Sequence, residues 1–211
     1  MNATTHSTGP VVTLFESYGS GADQIAHKVA EALGVEYLGQ RFSSEQLEDA
    51  ATVQETDGDS AFLRFFKRFG QETTDHLDNI LIPADQRNEY NLVVENNRTI
   101  LEATASGGVV LGRNATVILA DNPKALHVKL DGPVEARIVR AASEAGIDPD
   151  RAAGRQVHED EVRAEMSIRL YNWDPRQNDH YDLVINTGRL DDDVVAEIIV
   201  SASRVKAARA N

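Results

Sequence analysis

Gly19, Ser20 and Gly21 lie between an apolar run at residues 11–15 and a segment in which Ile25, Val29 and Leu33 recur every four positions. Glycines placed there let backbone N–H groups turn toward an anion, and the start of a helix adds a favourable dipole. A Gly-Ser-Gly step ahead of a helix also serves as a plain tight turn, so this segment alone admits both readings. Asp160 and Arg163 are three residues apart, a spacing that puts them on one helix face. They make either a pair of ligand contacts or an exposed ion pair contributing about 0.3–0.5 kcal/mol. Arg137 and Arg140 repeat the spacing on a segment that must show water one face. Other chemistries lack their residues. Cysteine is absent, which excludes thiolate nucleophiles, thiolate metal sites and disulfides. His6, His27, His76, His127, His158 and His180 are scattered, with no pair at a zinc-ligand spacing. No Gly-x-Ser-x-Gly elbow occurs.

The elements that must position these residues follow from periodicity. Residues 11–15 read as a buried strand, and the Ile25-Val29-Leu33 pattern predicts a helix stopping at Gly34. Residues 92–105 read as a helix ended by Gly107 and Gly108, and residues 109–111 as a second buried strand ending at Gly112 and Arg113. Residues 126–130 make a third strand, turned by Asp131, Gly132 and Pro133 into a helix with the proline at its first position. Residues 183–185 make a fourth. Asp191, Asp192 and Asp193 begin the last helix, and Arg204, Lys206 and Arg209 lie near its end, each set complementing the helix dipole. Strands alternating with helices predict a mostly parallel sheet with right-handed crossovers. Residues 40–86 and 148–179 break that rhythm and read as insertions on a core made of residues 10–39, 87–147 and 180–211.

The 211 residues, 41% hydrophobic and 26% charged, suit one α/β domain with insertions. A net charge of −13 gives no field that gathers nucleic acid, so an anionic ligand needs a local basic pocket. No apolar run is long enough to cross a bilayer, and the first ten residues lack a basic and an apolar region. The expectation is a cytoplasmic protein with no membrane or nucleic-acid partner. Phe62, Phe65, Phe66 and Phe69 form a helical stripe, read as core packing or as the contact of a homodimer. Tyr171 and Trp173, after the charged segment, either stack a base or anchor that segment to the core, with anchoring favoured.

Residues 13–37, TLFESYGSGADQIAHKVAEALGVEY, resemble the opening of the cytidylate kinase-like family, which has a strand, a Tyr-Gly-Ser-Gly turn and an Ile-Ala helix ending in Leu-Gly. VVLGRNATVIL (109–119) resembles that family's strand ending in Gly-Arg, and HVKLDGPVEARIVRA (127–141) its next strand and arginine-bearing helix. HEDEVRAEM (158–166) carries the Asp-x-x-Arg spacing of its lid, and YDLVINTGRL (181–190) resembles its final strand. The resemblance implies a three-layer P-loop kinase fold: a five-stranded parallel sheet with helices on both faces, a helical acceptor-binding insertion at 40–86 and a lid at 148–179. It also implies phosphoryl transfer from ATP to CMP, dCMP or a related small acceptor, with Mg²⁺, a reaction that needs positioning and positive charge. By the family's pattern, Gly19, Ser20 and Gly21 would cradle the triphosphate with Arg137 and Arg140 nearby. Arg113 would fork onto the acceptor phosphate, and Asp160 and Arg163 would hold the acceptor's sugar and phosphates. Arg155 and Arg169 would add lid charge.

The resemblance lapses at three positions. Ala22 and Asp23 stand where working phosphate loops carry a lysine and where this family commonly offers an arginine. The Asp23 carboxylate favours its helix by about 0.3–1 kcal/mol but opposes a triphosphate, unless Lys28 or the lid arginines compensate. Asn114 and Gly39 replace two acidic residues usual near the metal. Two other classes therefore stand beside the kinase reading. One is a non-catalytic nucleotide-binding or scaffold protein that retains the fold; the other is a kinase for a different small hydroxyl or phosphate acceptor.

Overall fold

The computed structural model describes the backbone of residues 9–51 and 84–210 and the side chains of residues 9–47 and 89–210. In chain order the elements are β1 (Val11–Glu16), α1 (Ala22–Leu33), β2 (Glu36–Leu38), α2 (Ser44–Ala51) and α3 (Ala84–Ala103). They continue with β3 (Gly108–Leu111), α4 (Ala115–Ile118), β4 (Ala125–Asp131), α5 (Val134–Ala145), α6 (Pro149–Tyr171), β5 (Leu183–Asn186) and α7 (Asp192–Arg209). The phenylalanine stripe at 62–69 lies outside the described residues.

All five strands are parallel, in the order β2-β3-β1-β4-β5. β1 is central and pairs Leu14 with both Leu111 of β3 and Val128 of β4. A parallel sheet is covered on both faces, and the apolar runs show it: Val12, Leu14, Val109 and Val128 are almost wholly buried. On one face, α1 and α7 pack Ile25, Val29, Val195 and Ile199 onto these strands. On the other, α3 and α4 bring Ile100 and Ala115 against Val11, Val110 and Ala125. Burying a side chain such as Ile25 contributes about 1.5–3 kcal/mol. The result is the three-layer α/β kinase fold.

The helix ends follow local chemistry. Gly34 closes α1 with φ 66, in the left-handed region that glycine adopts without steric cost. Asp191 caps α7 by accepting from the Val194 N–H at 3.0 Å, and Asp148 caps α6 through the Asp150 N–H at 2.8 Å. Pro133 is the cap of α5 rather than its first helical residue. α3 starts well before residue 92, so the helix expected at 92–105 extends back to Ala84. The fifth strand is β2, three residues at the sheet edge. It is too short to show a period, and an edge strand is buried on fewer sides.

Candidate active-site clefts

The glycine turn joins β1 to α1. Gly19 and Gly21 have φ 78 and 74, and any side chain on Gly19 would run into the Arg137 carbonyl. That close approach places α5 directly against the turn. Arg137, 6% exposed, donates from Nη1 to the Tyr18 carbonyl at 2.8 Å and to Asp160 Oδ2 at 3.0 Å, and from Nε to the Gly132 carbonyl at 3.1 Å. Asp160 Oδ1 accepts the Tyr18 N–H at 2.8 Å. The turn is thus clamped from α5 and α6 together. The Arg140 guanidinium lies over Gly21 and donates to Asp192 at 2.6 Å and Glu144 at 2.7 Å.

Charge above the turn is mostly negative. The cleft there is lined by Glu16, Asp23, Glu45 and Glu144, with Arg155 as its cation; Arg155 Nη1 reaches Glu45 at 3.5 Å. Ala22, at the lysine position, is buried. Asp23 accepts from the Tyr37 hydroxyl at 2.6 Å, and burial plus that contact push the Tyr37 phenol pKa well up. Lys28 is no compensating charge here, because its Nζ donates to Asp193 of α7 at 2.5 Å.

A second cleft opens at the C-terminal ends of β1 and β3, the end at which open α/β sheets bind ligands. Glu16 and Arg113 both line it, two residues past Leu14 and Leu111, the last pair of the β1–β3 ladder. Gln40, Arg41 and Phe42 enter from the segment after β2, Leu92 and Asn96 from α3, and Arg163 and Met166 from α6. Arg113 and Asn114 have φ 57 and 58, a left-handed pair that costs non-glycine residues about 1–2 kcal/mol each. Contacts hold them there: Arg113 Nε donates to the Gly39 carbonyl at 2.5 Å, and Asn96 Nδ2 donates to the Arg113 carbonyl at 2.7 Å. No carboxylate pairs with Arg113 among the described residues. Burial, helped by Arg41, lowers its pKa.

Arg163 is enclosed by its own neighbours. Its Nη2 donates to the buried Glu159 at 2.8 Å and lies 3.8 Å from Glu16, and its Nη1 donates to Gln40 Oε1. Gln40 in turn donates to Glu16. Glu16 is pushed up to about 7: burial disfavours its charge, Arg163 favours it, and Glu159, Asp23 and Asp160 oppose it. Glu16 lines both clefts and so marks where they meet.

Asp160 and Arg163 therefore face different partners and do not pair with each other. Arg169 lies apart and pairs with Glu89 at 2.7 Å. Tyr171 and Trp173 act as anchors. The Tyr171 hydroxyl accepts from Asn96 at 2.8 Å and donates to Asn97 at 3.1 Å. Trp173 donates from Nε1 to Asn114 Oδ1 at 2.9 Å, with its ring edge-on to Phe15 at 6.4 Å. That bond also occupies the Asn114 carbonyl. Among the described residues no three His, Asp or Glu side chains gather as a metal cradle, so the side chains do not by themselves fit a Mg²⁺ site. Glu16, Gln40, Glu159 and Tyr37 escaped sequence reasoning. For Glu16 the signal was present: a carboxylate closing an apolar strand just before a glycine turn.

Residues 11–189 match the cytidylate kinase-like family. A cytidylate kinase from Methanopyrus kandleri is 26% identical over 205 residues, covering 93% of this chain and 94% of its own. A uronate isomerase from Corynebacterium glutamicum is 31% identical over 154 residues, or 73% of this chain, but the chain spans only 30% of that protein's length. An uncharacterized protein from Eubacterium ventriosum shares the fold with a TM-score of 0.64 at 18% identity, covering 92% of this chain and 98% of its own. With a glycine turn, an arginine after β3 and a charged α6 meeting at one end of a parallel sheet, and the match running through all three, the chain belongs to the cytidylate kinase-like family.

Proposed function

We propose that the protein transfers the γ-phosphoryl group of ATP to a small acceptor, with the triphosphate over Gly19, Ser20 and Gly21 and the acceptor in the cleft of Arg113 and Arg163. The carrying observation is that Glu16 lines both clefts, which supports donor and acceptor sites that adjoin. Mg²⁺, which this reaction class uses, would be held by the triphosphate rather than by side chains, since among the described residues no three His, Asp or Glu side chains gather as a cradle. On this reading the insertion at 40–86, of which residues 52–83 lie outside the described residues, serves acceptor binding and residues 148–179 serve as the lid, with Arg155 contributing charge. Asp160 sets the turn, and Arg137 and Arg140 flank the triphosphate. The relatives named cytidylate kinase nominate CMP and dCMP, and the stretch shared with a uronate isomerase nominates a sugar acid. A cytoplasmic nucleotide pool is the supply this reading requires; no described helix is long and apolar enough to cross a membrane.

A second reading, nucleotide binding without transfer, is favoured by one observation: four carboxylates face the glycine turn and alanine holds the lysine position. Coupled ADP release with ATP, Mg²⁺ and CMP, dCMP, UMP or AMP, beside calorimetric titration of ATP, separates the two. Turnover supports transfer. Binding without turnover on any acceptor supports the second reading.

A further inference from the structure

We propose that the acceptor is a small hydroxylated acid, whose anionic group sits against Arg113 and whose hydroxyl oxygen lies beside Glu16, the base that takes its proton. This rests on the transfer reading above and names the acceptor's class.

Two residues lining one cleft carry it: Glu16, the last residue of β1, brings a carboxylate, and Arg113, in the left-handed turn after β3, brings a guanidinium. Arg113 has no carboxylate partner among the described residues: its Nε and Nη2 donate to the Gly39 and Gln40 carbonyls, neutral acceptors that leave its charge unbalanced, and a guanidinium in that state favours a carboxylate or phosphate. Arg163 cannot take an anion on the same terms, because Glu159 and Gln40 already hold it.

The attacking oxygen must lie where the two clefts meet, and Glu16 is the residue there. A phosphate monoester attacks through an oxygen that has no proton to lose, and a carboxylate at that point only repels it. An alcohol must lose its proton, and a carboxylate there assists. Burial helps, holding Glu16 at about 7, near the value at which a general base works best in neutral solution. The groups facing it are Arg163, Glu159 and Asp160 of α6, Asp23 of α1 and Gln40 after β2, with Arg113 lining the same cleft.

In the step, the acceptor's hydroxyl oxygen forms a bond to the γ-phosphorus of a nucleoside triphosphate as its proton passes to Glu16. The bond from that phosphorus to the β–γ bridging oxygen breaks. The nucleoside diphosphate leaves, and Glu16 returns its proton to solvent.

The test uses the full chain with ATP and Mg²⁺ against glucuronate, gluconate and glycerate, the neutral compounds glucose, sorbitol and glycerol, and CMP and dCMP. ADP release gives rates, and phosphorus NMR separates a new phosphate ester from a new diphosphate. The expected result is ester formation on the acids, with kcat/KM at least about tenfold above the neutral compounds. Glu16→Gln lowers kcat by about 10²–10⁴-fold and removes the rise of rate with pH near 7, with KM little changed. Arg113→Met raises KM for the acids and narrows their advantage. Circular dichroism and thermal midpoints show that both variants fold; if Glu16→Gln does not, Glu16→Asp carries the pH-profile test. Diphosphate formation on CMP or dCMP with inert hydroxy acids overturns this inference and leaves the transfer reading standing. So does a Glu16→Gln protein with unchanged kcat and pH profile. No turnover on any compound overturns both.

Discussion

Oδ1 of Asp160 accepts the Tyr18 N–H at 2.8 Å, although the two residues are 142 positions apart. One carboxylate on α6 thereby fixes the first residue of the Tyr-Gly-Ser-Gly turn, while its other oxygen takes Arg137 at 3.0 Å and Gln156 at 2.7 Å. The glycine turn is held from outside by a helix far along the chain. Movement of α6 and the shape of the turn are therefore mechanically linked.

That linkage makes Arg137 the keystone. Arg137→Met leaves Asp160 and the Tyr18 carbonyl without their buried donor, which destabilises by about 3–5 kcal/mol. Urea unfolding followed by circular dichroism measures it. A loss under about 1 kcal/mol means that the clamp is not structural.

Gly19→Ala and Gly34→Ala form a matched pair. Both glycines have positive φ, but an added carbon at Gly34 meets nothing within 4 Å, whereas at Gly19 it collides with the Arg137 backbone. Gly34→Ala is expected to cost about 1–2 kcal/mol from conformation alone, and Gly19→Ala clearly more. Equal thermal shifts in the two variants contradict the packing of α5 against the turn.

Glu16 gives stability a pH dependence. Its folded pKa of about 7 exceeds the ordinary 4.5, so the folded state binds the proton more tightly than the unfolded state. The contribution is fully present below about 4.5 and is lost as pH rises through 7. Glu16→Gln, which never ionises, is thus expected to be more stable than the parent at pH 8, on the order of 2–3 kcal/mol, with the gap closing by pH 5. Chemical unfolding of both proteins at the two pH values checks this; a gap that widens toward acid refutes the sign.

Asp23→Arg exchanges a carboxylate for a guanidinium at the mouth of the glycine turn and frees the Tyr37 hydroxyl. ATP affinity is expected to rise several-fold, most at low salt, where exposed charges are least screened. Calorimetric titration at two ionic strengths reads it, and unchanged affinity at low salt places the triphosphate elsewhere.

Much of the fold was legible in the chain. The largely apolar runs at residues 11–15 and 109–111 became strands because a strand buried on both faces needs such a stretch; at 126–130 the alternating Leu126, Val128 and Leu130 gave the signal, and 183–185 became an edge strand with Val184 exposed. The glycine after Leu33 and the aspartates at 191–193 mark helix ends because capping is a local bargain between a few neighbouring residues. β2 escaped because three edge residues carry no period, and α3 was read too short because its first turns are polar.

The site divided along the same line. Sequence alone determined which groups exist: a glycine turn without a lysine after it, an arginine after β3, a charged helix with Asp160 and Arg163, and no cysteine. Only tertiary structure decided their partners. It turned Asp160 toward Tyr18, enclosed Arg163 between Glu159 and Gln40, left Arg113 without a carboxylate among the described residues, and buried Glu16 enough to hold a proton near neutral pH. Charge pairing and desolvation depend on distance through space, and residues more than a hundred positions apart meet here only because β1, β3 and α6 converge at one end of the sheet.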